Sequence, residues 1–375
     1  MHSKIKAHIF LTGATGYIGG SVLTRLLSHP RSETFRISVL LRAPEKATQF
    51  RKMGIHAVVG TYEDLDLLRQ HAAKADIVIQ CSDVAGLPAA KALLDGLKER
   101  YDRTGKASSF IHTSGAETLT DDSRGIHKSD TIFSDLDTAQ LASLPCTQPH
   151  RKVDRTLVDA DQQGYVKTYI VLPTMVYGKA VGPLVDAGLQ NPRSRYIPQL
   201  VEAALTRGRA GLFGNGANIW CHVHIVDLVS LYILLVDAIA PHDPSEGRSR
   251  SRQADLDDPP SRPRTPVVLD PTYLTHGEQG FYFAENGEVS MLTLAEAIGD
   301  AMVDAGNATD PNPSSFTQEE VETEQCYRWV ADSLYLDCNA RCKADRARKV
   351  GWKPKKTTKD LLASIKQELK SSNQS

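Results

Sequence analysis

The chain has 375 residues, which is enough for a domain of about 200 residues and a second lobe. Its 44 basic and 45 acidic residues balance to a net charge of −1, so the surface lacks the broad basic field that nucleic acid or an anionic membrane would require. The six cysteines lack zinc-site spacing, and the sequence contains neither a secretory signal nor an apolar run of about 18 residues. We therefore expect a cytoplasmic protein with reduced thiols, no metal site, and neither a nucleic acid nor a membrane as partner.

A glycine-rich turn follows the first predicted strand, residues 7–11. Gly13 permits a tight turn, Gly16 lets the backbone approach a pyrophosphate, and Gly19 lets the next helix pack closely on the strand. The N–H groups at the start of that helix would face the phosphates. A plain glycine turn is the alternative, but the flanking strand and the amphipathic residues 21–27 favour a dinucleotide site. Its expected contacts are Gly13, Thr15, Gly16, Tyr17 and Ile18.

Strands and helices then alternate along the first half of the chain. This order, with strands that read as short apolar runs, is typical of a parallel sheet covered by helices on both faces. We therefore predict an α/β fold of the Rossmann type, with a doubly wound parallel sheet. The strands predicted after the first one are residues 35–41, 57–59, 76–80, 109–113 and 168–172.

The pattern changes after Pro173, which favours a smaller α/β lobe in the C-terminal half. There, Asp227 is predicted to cap a helix. The stretch 241–266 is rich in Pro, Ser, Arg and Asp and poor in large apolar residues, so we expect a disordered insertion. We assign residues 1–180 to a dinucleotide domain, with a return of the chain at 215–240, and residues 181–375 mainly to a substrate-binding lobe.

Three candidate cofactor residues follow predicted strands, at the edge where the ligands of such sheets lie. Asp64 follows the third strand and Cys81 follows the fourth. Arg42 ends the second strand, where NAD sites place an acid to bind a ribose hydroxyl and NADP sites place an arginine to pair with the 2′-phosphate. The sequence therefore favours NADP over NAD, with a solvated arginine as the alternative.

A family likeness rests on four separated motifs, at residues 12–20, 112–115, 172–178 and 223–227. They resemble the extended short-chain dehydrogenase/reductase superfamily of the NAD-dependent epimerase/dehydratase type, and its fungal members in particular. The resemblance implies a Rossmann domain that binds NAD or NADP and a smaller lobe that closes over a small substrate. It also implies that Pro173 borders the nicotinamide and that Ser114 holds the reacting oxygen, with a plain strand-ending serine as the alternative.

One expected pair is missing from this resemblance. The family's chemistry usually uses a tyrosine that exchanges a proton with the substrate oxygen, and a lysine four residues later that lowers the pKa of that tyrosine. At the expected place this chain carries His150 and Asp154, one helical turn apart. His150 could act as the proton donor, with its charged form stabilised by Asp154. The alternative is an ordinary residue at a helix N-terminus.

Residues of the second lobe indicate the class of substrate. Sugar-nucleotide epimerases commonly carry an arginine four residues before the motif histidine His224, where this chain has Trp220. An indole offers a flat apolar face and cannot neutralise a diphosphate, so a less polar carbonyl metabolite is favoured, with packing as the alternative role. Tyr177 is a second candidate substrate contact, although its family role is usually packing. His222 and His224 lack a third metal ligand, so we expect structural histidines.

The leading hypothesis is an NAD(P)-dependent oxidoreductase or epimerase/dehydratase-like enzyme that acts on a small carbonyl or hydroxyl metabolite, for example in secondary metabolism. Ser114 and His150 would be its catalytic residues. The alternative is a catalytically silent NADP-binding regulator that resembles the fungal NmrA-like proteins, a hypothesis favoured by the missing tyrosine and lysine. The expected partner is the small-molecule substrate, and a homodimer is a further option.

Overall fold

Residues 7–82, 85–240, 270–323 and 335–372 are described by the computed structural model of this chain. The predicted disordered insertion, 241–266, lies outside these residues. The strands are β1 (Ala7–Thr12), β2 (Phe35–Leu41), β3 (His56–Val59), β4 (Ile77–Gln80), β5 (Ser108–Thr113), β6 (Phe133–Ser134), β7 (Val166–Pro173), β8 (Met175–Tyr177), β9 (Gly211–Leu212), β10 (Ile219–His224), β11 (Phe281–Ala284), β12 (Glu288–Ser290), β13 (Ser314–Ser315) and β14 (Cys342–Lys343).

Helices connect these strands, and a short 3-10 helix, Ala116–Leu119, follows β5. The α-helices are α1 (Tyr17–Leu27), α2 (Pro44–Lys52), α3 (Leu65–Ala72), α4 (Leu87–Thr104), α5 (Thr138–Ala142), α6 (Arg151–Gln162), α7 (Pro183–Asp186), α8 (Tyr196–Arg207), α9 (Ile225–Ile239), α10 (Met291–Asp304), α11 (Gln318–Thr323), α12 (Asp345–Val350) and α13 (Thr358–Ser372).

A seven-stranded sheet forms the centre of the fold, in the order β11-β7-β5-β4-β1-β2-β3. Every neighbouring pair in it is parallel. The chain winds outward from β1 in both directions, so the strand order reverses between β1 and β4, the point where such sheets bind ligands at their carboxyl edge. The predicted doubly wound parallel sheet of the Rossmann type is confirmed.

The central strands carry apolar residues on both faces because helices cover both faces. All six residues of β1 and all six of β5 are buried. Helix α1 packs against α9, while α4 packs against α3 and α6. Burial of this kind explains why the strands read as continuous apolar runs rather than as alternating patterns.

Residues of the C-terminal half complete the sheet and build a smaller one. Strand β11 pairs with β7 as the outermost strand of the central sheet, a position that the sequence patterns do not indicate. Strand β10 lies between β8 and β12, with a parallel and an antiparallel partner. The predicted cap of helix α9 is wrong: His224 is the capping residue, and its Nδ1 accepts from the N–H of Val226 at 3.2 Å. The Asp227 carboxylate instead accepts from the N–H of Lys356 at 2.8 Å.

The first crossover leaves no room for a side chain at Gly19. A Cβ atom there would collide with the carbonyl oxygen of Gly13. Helix α1 can therefore approach the end of β1 closely only because position 19 is glycine.

We expect Gly19→Ala to lower the free energy of unfolding by at least about 2 kcal/mol, because backbone atoms must move to relieve the overlap. Gly105→Ala is the matched control. Gly105 has φ of +66°, and a Cβ atom added there would meet open space, so this variant should lose only about 1 kcal/mol through backbone strain. Urea unfolding of the variants checks both values. An equal decrease in unfolding free energy in the two variants would contradict the close approach of Gly19 to Gly13.

Candidate active site

The glycine turn after β1 has the shape expected of a phosphate-binding loop. Gly13 has φ of +83°, and its carbonyl accepts from the N–H of Gly16 at 2.9 Å. A Cβ atom on Gly13 would lie 2.9 Å from the carbonyl oxygen of Cys81, so the turn sits directly against the end of β4. No side chain caps helix α1, and its first turn holds no acidic residue. Its first N–H groups are therefore suited to a pyrophosphate, and the residues fit a dinucleotide.

Side-chain and backbone contacts fix the turn to the rest of the fold. The Tyr17 phenol donates to the carbonyls of Tyr177 at 3.0 Å and Gly178 at 2.5 Å. The carbonyl of Thr15 accepts from the N–H of Asn191 at 2.9 Å, and Ile18 packs against the core. These contacts hold the turn in place, and because the Tyr17 phenol is engaged in them, any contact of Tyr17 with a coenzyme would come from its backbone.

The other predicted cofactor residues lie at the carboxyl ends of their strands. Arg42 is exposed directly after β2 and forms no ion pair with the described residues. The Asp64 carboxylate accepts from the N–H of Thr61 at 2.6 Å, which occupies one of its oxygens within its own turn. Burial raises the pKa of the Cys81 thiol to about 12, so this thiol stays protonated and unreactive. Pro173 is buried at the end of β7.

Four buried polar side chains meet at the ends of β4 and β5, and we call Gln80, His112, Ser114 and Asp154 the strand-end cluster. Ser114 Oγ donates to Asp154 Oδ2 at 3.0 Å, and His112 Nδ1 bonds Gln80 Oε1 at 2.9 Å. His112 Nε2 lies 3.8 Å from Asp154 Oδ1. Among the described residues, Gln80 Nε2, His112 Nε2 and Asp154 Oδ1 find no hydrogen-bond partner. Buried polar atoms without a partner cost free energy, so three of them in one cluster call for an explanation.

Burial sets the charges in this cluster. It raises the pKa of Asp154 to about 6, against the opposing effects of the His150 charge, the Ser114 hydroxyl and Arg151. Burial, with the nearby His150 charge, lowers the pKa of His112 to about 3. His112 is therefore neutral near pH 7, while Asp154 changes its charge within the physiological range.

His150 stands beside this cluster and contacts Glu117, which in turn bonds Tyr196; neither residue was predicted as part of the site. His150 Nε2 lies 3.6 Å from Glu117 Oε2, and the Tyr196 hydroxyl donates to Glu117 Oε1 at 2.5 Å. Glu117 follows Ser114 by three residues, a spacing that could have marked it as a candidate. Tyr196 begins helix α8, and no local pattern indicates that it reaches the end of β5.

The structure does not support the predicted substrate contacts Trp220 and Tyr177. Trp220 is fully buried, donates its indole N–H to the carbonyl of Cys338 at 2.8 Å, and packs against Tyr196 with ring centroids 5.7 Å apart. Tyr177 is also fully buried, and its hydroxyl donates to the carbonyl of Thr357 at 3.0 Å. Both residues pack in the core, the alternative that the sequence left open, because C-terminal segments cover them.

The two motif histidines have separate structural partners. His222 Nε2 bonds the Thr358 hydroxyl at 2.9 Å, and burial lowers the pKa of His222 to about 4. His224 caps helix α9, and both rings pack edge-on against Tyr177. These contacts are those of structural histidines.

A family model described as the NAD dependent epimerase/dehydratase family matches residues 9–246. The chain belongs to this family. It is 31% identical to the oxidase ucsJ of an Acremonium species over 358 residues, which cover 92% of each chain. It is 22% identical to the 4-hydroxy-2-methyl-3-oxo-4-farnesyl-3,4-dihydroquinoline-1-oxide ketoreductase of Stigmatella aurantiaca, over 53% of this chain and 55% of that one.

Solved structures of the family share the fold. The dTDP-glucose 4,6-dehydratase of Bacillus anthracis, in complex with NAD, superposes with a TM-score of 0.59 at 15% identity over 98% of both chains. In this chain the glycine turn lies at the first crossover of the shared fold. Within the described ranges, no helix has the length and apolar character needed to cross a membrane.

We expect Asp154→Asn to gain stability relative to the wild type as the pH rises. The folded protein keeps the Asp154 proton up to about pH 6, whereas the unfolded chain releases it near pH 3.9, so the wild type loses stability between these values. The asparagine cannot ionise. Its advantage in unfolding free energy should therefore grow between pH 4 and pH 7 by up to about 3 kcal/mol.

Urea unfolding at these two pH values measures the change. Asp159→Asn, on the exposed side of the same helix, is the control and should show little pH dependence relative to the wild type. A difference between Asp154→Asn and the wild type that stays constant with pH would show that the carboxyl has the same pKa in the folded and the unfolded chain, and would contradict the raised pKa.

Proposed function

We propose that this chain is an NAD(P)-dependent oxidoreductase that acts at a carbon bearing the oxygen of a small carbonyl or hydroxyl metabolite. The observation that carries the proposal is the strand-end cluster, in which buried groups keep unused hydrogen-bonding capacity beside the glycine turn. The two are adjacent because Gly13 contacts Cys81, the residue after Gln80. Membership of an NAD-dependent enzyme family supports the same reading.

Two residues of the chain would act on the substrate. Ser114 holds its hydroxyl at the end of β5, where it would donate to the reacting oxygen in place of its present bond to Asp154 Oδ2. His150 would exchange a proton with the same oxygen in place of the usual tyrosine. A bound nicotinamide would supply or accept the hydride. In this proposal Gly13, Thr15, Gly16, Tyr17 and Ile18 hold the coenzyme mainly through their backbone, with Pro173 beside its nicotinamide.

A substrate of lower polarity than a sugar nucleotide is supported by the second half of the chain. Trp220 occupies the position where a diphosphate-binding arginine would be expected, and it is buried. The similar ketoreductase of Stigmatella aurantiaca is named for a farnesylated dihydroquinoline oxide, and the similar protein of Acremonium is named an oxidase. These names favour a carbonyl or hydroxyl group on a largely apolar metabolite of secondary metabolism.

A panel of ketones and secondary alcohols, offered with NADPH, NADH and their oxidised forms, tests the proposed function. We expect turnover of at least one member, seen as a change in the absorbance of the reduced nicotinamide. Ser114→Ala should lower kcat/KM by about a hundredfold, because it removes a hydrogen-bond donor at the reacting oxygen. The exposed Ser143→Ala is the control. Coenzyme binding without any turnover, and with no effect of Ser114→Ala, would favour the silent regulator.

A preference for NADP is proposed from the exposed side chain of Arg42. We expect Arg42→Asp to weaken NADPH binding by about 1.5 to 3 kcal/mol and to leave NADH binding far less affected, because the charge-assisted contact with the 2′-phosphate is lost. Arg36→Asp, exposed on the same strand, is the matched control. Fluorescence titration measures both affinities, and an unchanged NADPH affinity in Arg42→Asp would rule out this role.

A further inference from the structure

Three side chains from separate parts of the chain meet beside the strand-end cluster: Glu117, His150 and Tyr196, which we call the proton triad. Glu117 belongs to the 3-10 helix after β5, His150 immediately precedes α6, and Tyr196 begins α8. Glu117 bridges the other two, with one carboxylate oxygen 3.6 Å from His150 Nε2 and the other accepting from Tyr196 at 2.5 Å. Each oxygen of the Glu117 carboxylate therefore contacts a different partner.

The backbone is shaped to bring the triad together. His150 has φ of +62°, a left-handed conformation that costs a residue with a side chain free energy and that tends to occur at functional positions. A Cβ atom on Gly115 would collide with the carboxylate of Glu117 and would lie 3.1 Å from His150 Nε2. Glycine at 115 and the unusual backbone at 150 therefore both serve the same contact.

We propose that Glu117 is a positioning residue that holds His150 as an imidazolium through Nε2, with Tyr196 fixing the carboxylate, so that Nδ1 of His150 exchanges the proton with the substrate. This inference rests on the proposed function for its final step, but the triad itself can be tested without a substrate. His150 Nδ1 is buried and has no hydrogen-bond partner among the described residues. Because Glu117 engages Nε2, Nδ1 is the ring atom left for a substrate oxygen.

The surrounding charges favour a protonated ring. Burial lowers the pKa of His150, but the contact with Glu117, its charge and the charge of Asp154 outweigh burial, and the pKa rises above its ordinary value despite the opposing charge of Arg195. Burial raises the pKa of Glu117, yet the contact with His150 and the bond from Tyr196 bring it below its ordinary value. The remaining titratable neighbour, His112, is neutral near pH 7.

Tyr196 takes part as a neutral donor. Burial and the adjacent Glu117 charge raise the pKa of its phenol well above the ordinary value, so it does not ionise in place of the family's tyrosine. Its ring packs on Trp220, whose indole N–H is held by the carbonyl of Cys338. Trp220 therefore fixes the position of the Tyr196 ring, which explains a buried tryptophan at that position.

The proton balance is simple in the reducing direction. The Nδ1–H bond of His150 breaks as an O–H bond forms on the substrate oxygen, and the adjacent carbon gains the hydride that the coenzyme of the proposed function supplies. His150 becomes neutral and regains a proton from solvent. In the oxidising direction, the same ring must begin neutral and accept the hydroxyl proton.

Nuclear magnetic resonance of the full chain, with isotope-labelled histidine, tests the triad directly. The titration midpoint of His150 in the wild type should lie above that of an unperturbed histidine. Glu117→Gln should lower this midpoint by about one pH unit or more, because it removes the negative charge beside the imidazole. Tyr196→Phe should lower it by a smaller amount, because the carboxylate stays but is held less firmly. The controls are Glu320→Gln, which breaks a remote pair with Arg207, and Tyr282→Phe, which removes a buried hydroxyl bonded to Thr275.

The possible results distinguish a failure of the proton triad from a failure of the proposed oxidoreductase function. A wild-type midpoint at or below the ordinary histidine value overturns the triad, even if the variants fail to fold. A high midpoint that falls in Glu117→Gln supports the triad, whether or not any substrate is turned over. If turnover is found, the pH profile of kcat/KM should move by the same amount as the midpoint. A profile unmoved by Glu117→Gln removes His150 from the proton transfer and leaves the oxidoreductase assignment standing.

Discussion

The close approach of helix α1 to strand β1 is the constraint on which the rest of the structure depends. Gly13 and Gly19 touch through the backbone, and Gly13 also lies against the residue after β4. This contact places the start of α1 at the point where the strand order reverses. The helix N-terminus, the end of β4 and the end of β5 then share one edge of the sheet, and the chemistry proposed for this chain needs all three.

The departure from the family's tyrosine and lysine changes the electrostatics of that edge. A lysine would add a positive charge, whereas this chain places the carboxyl groups of Asp154 and Glu117 near His150, with the neutral His112 beside Asp154. Each carboxyl group has a specific hydroxyl partner, Ser114 for one and Tyr196 for the other. In the mechanism that we propose, the arrangement keeps a proton on the imidazole rather than drawing one from a phenol, so one proton donor would replace another of different charge.

Much of the fold could be predicted because its signals are local. The glycine spacing at 13, 16 and 19 and the apolar runs of β1, β2 and β5 follow from the demands of a buried parallel sheet. The pairing of β11 with β7 could not be predicted, because a four-residue apolar strand carries no information about which edge it joins. The capping role given to Asp227 was wrong because His224, one position before the helix, can accept the same kind of bond.

The candidate site was predicted only in part, for a related reason. Ser114 and His150 could be found from motif positions along the chain, whereas Tyr196 reaches Glu117 only through the tertiary packing of α8, which contacts β8. Trp220 was given a ligand-binding role from its position, but whether a large aromatic side chain faces a ligand or the core depends on segments distant in sequence. Here the segment around Cys338 covers it.

The most direct test of the account is calorimetric titration of the purified wild-type chain with NADPH and with NADH. We expect saturable binding of at least one of them, one coenzyme per chain, and a loss of binding when the glycine turn is filled by Gly13→Val. Absence of binding for both coenzymes in a folded sample would contradict the account, because the glycine turn would then serve packing alone.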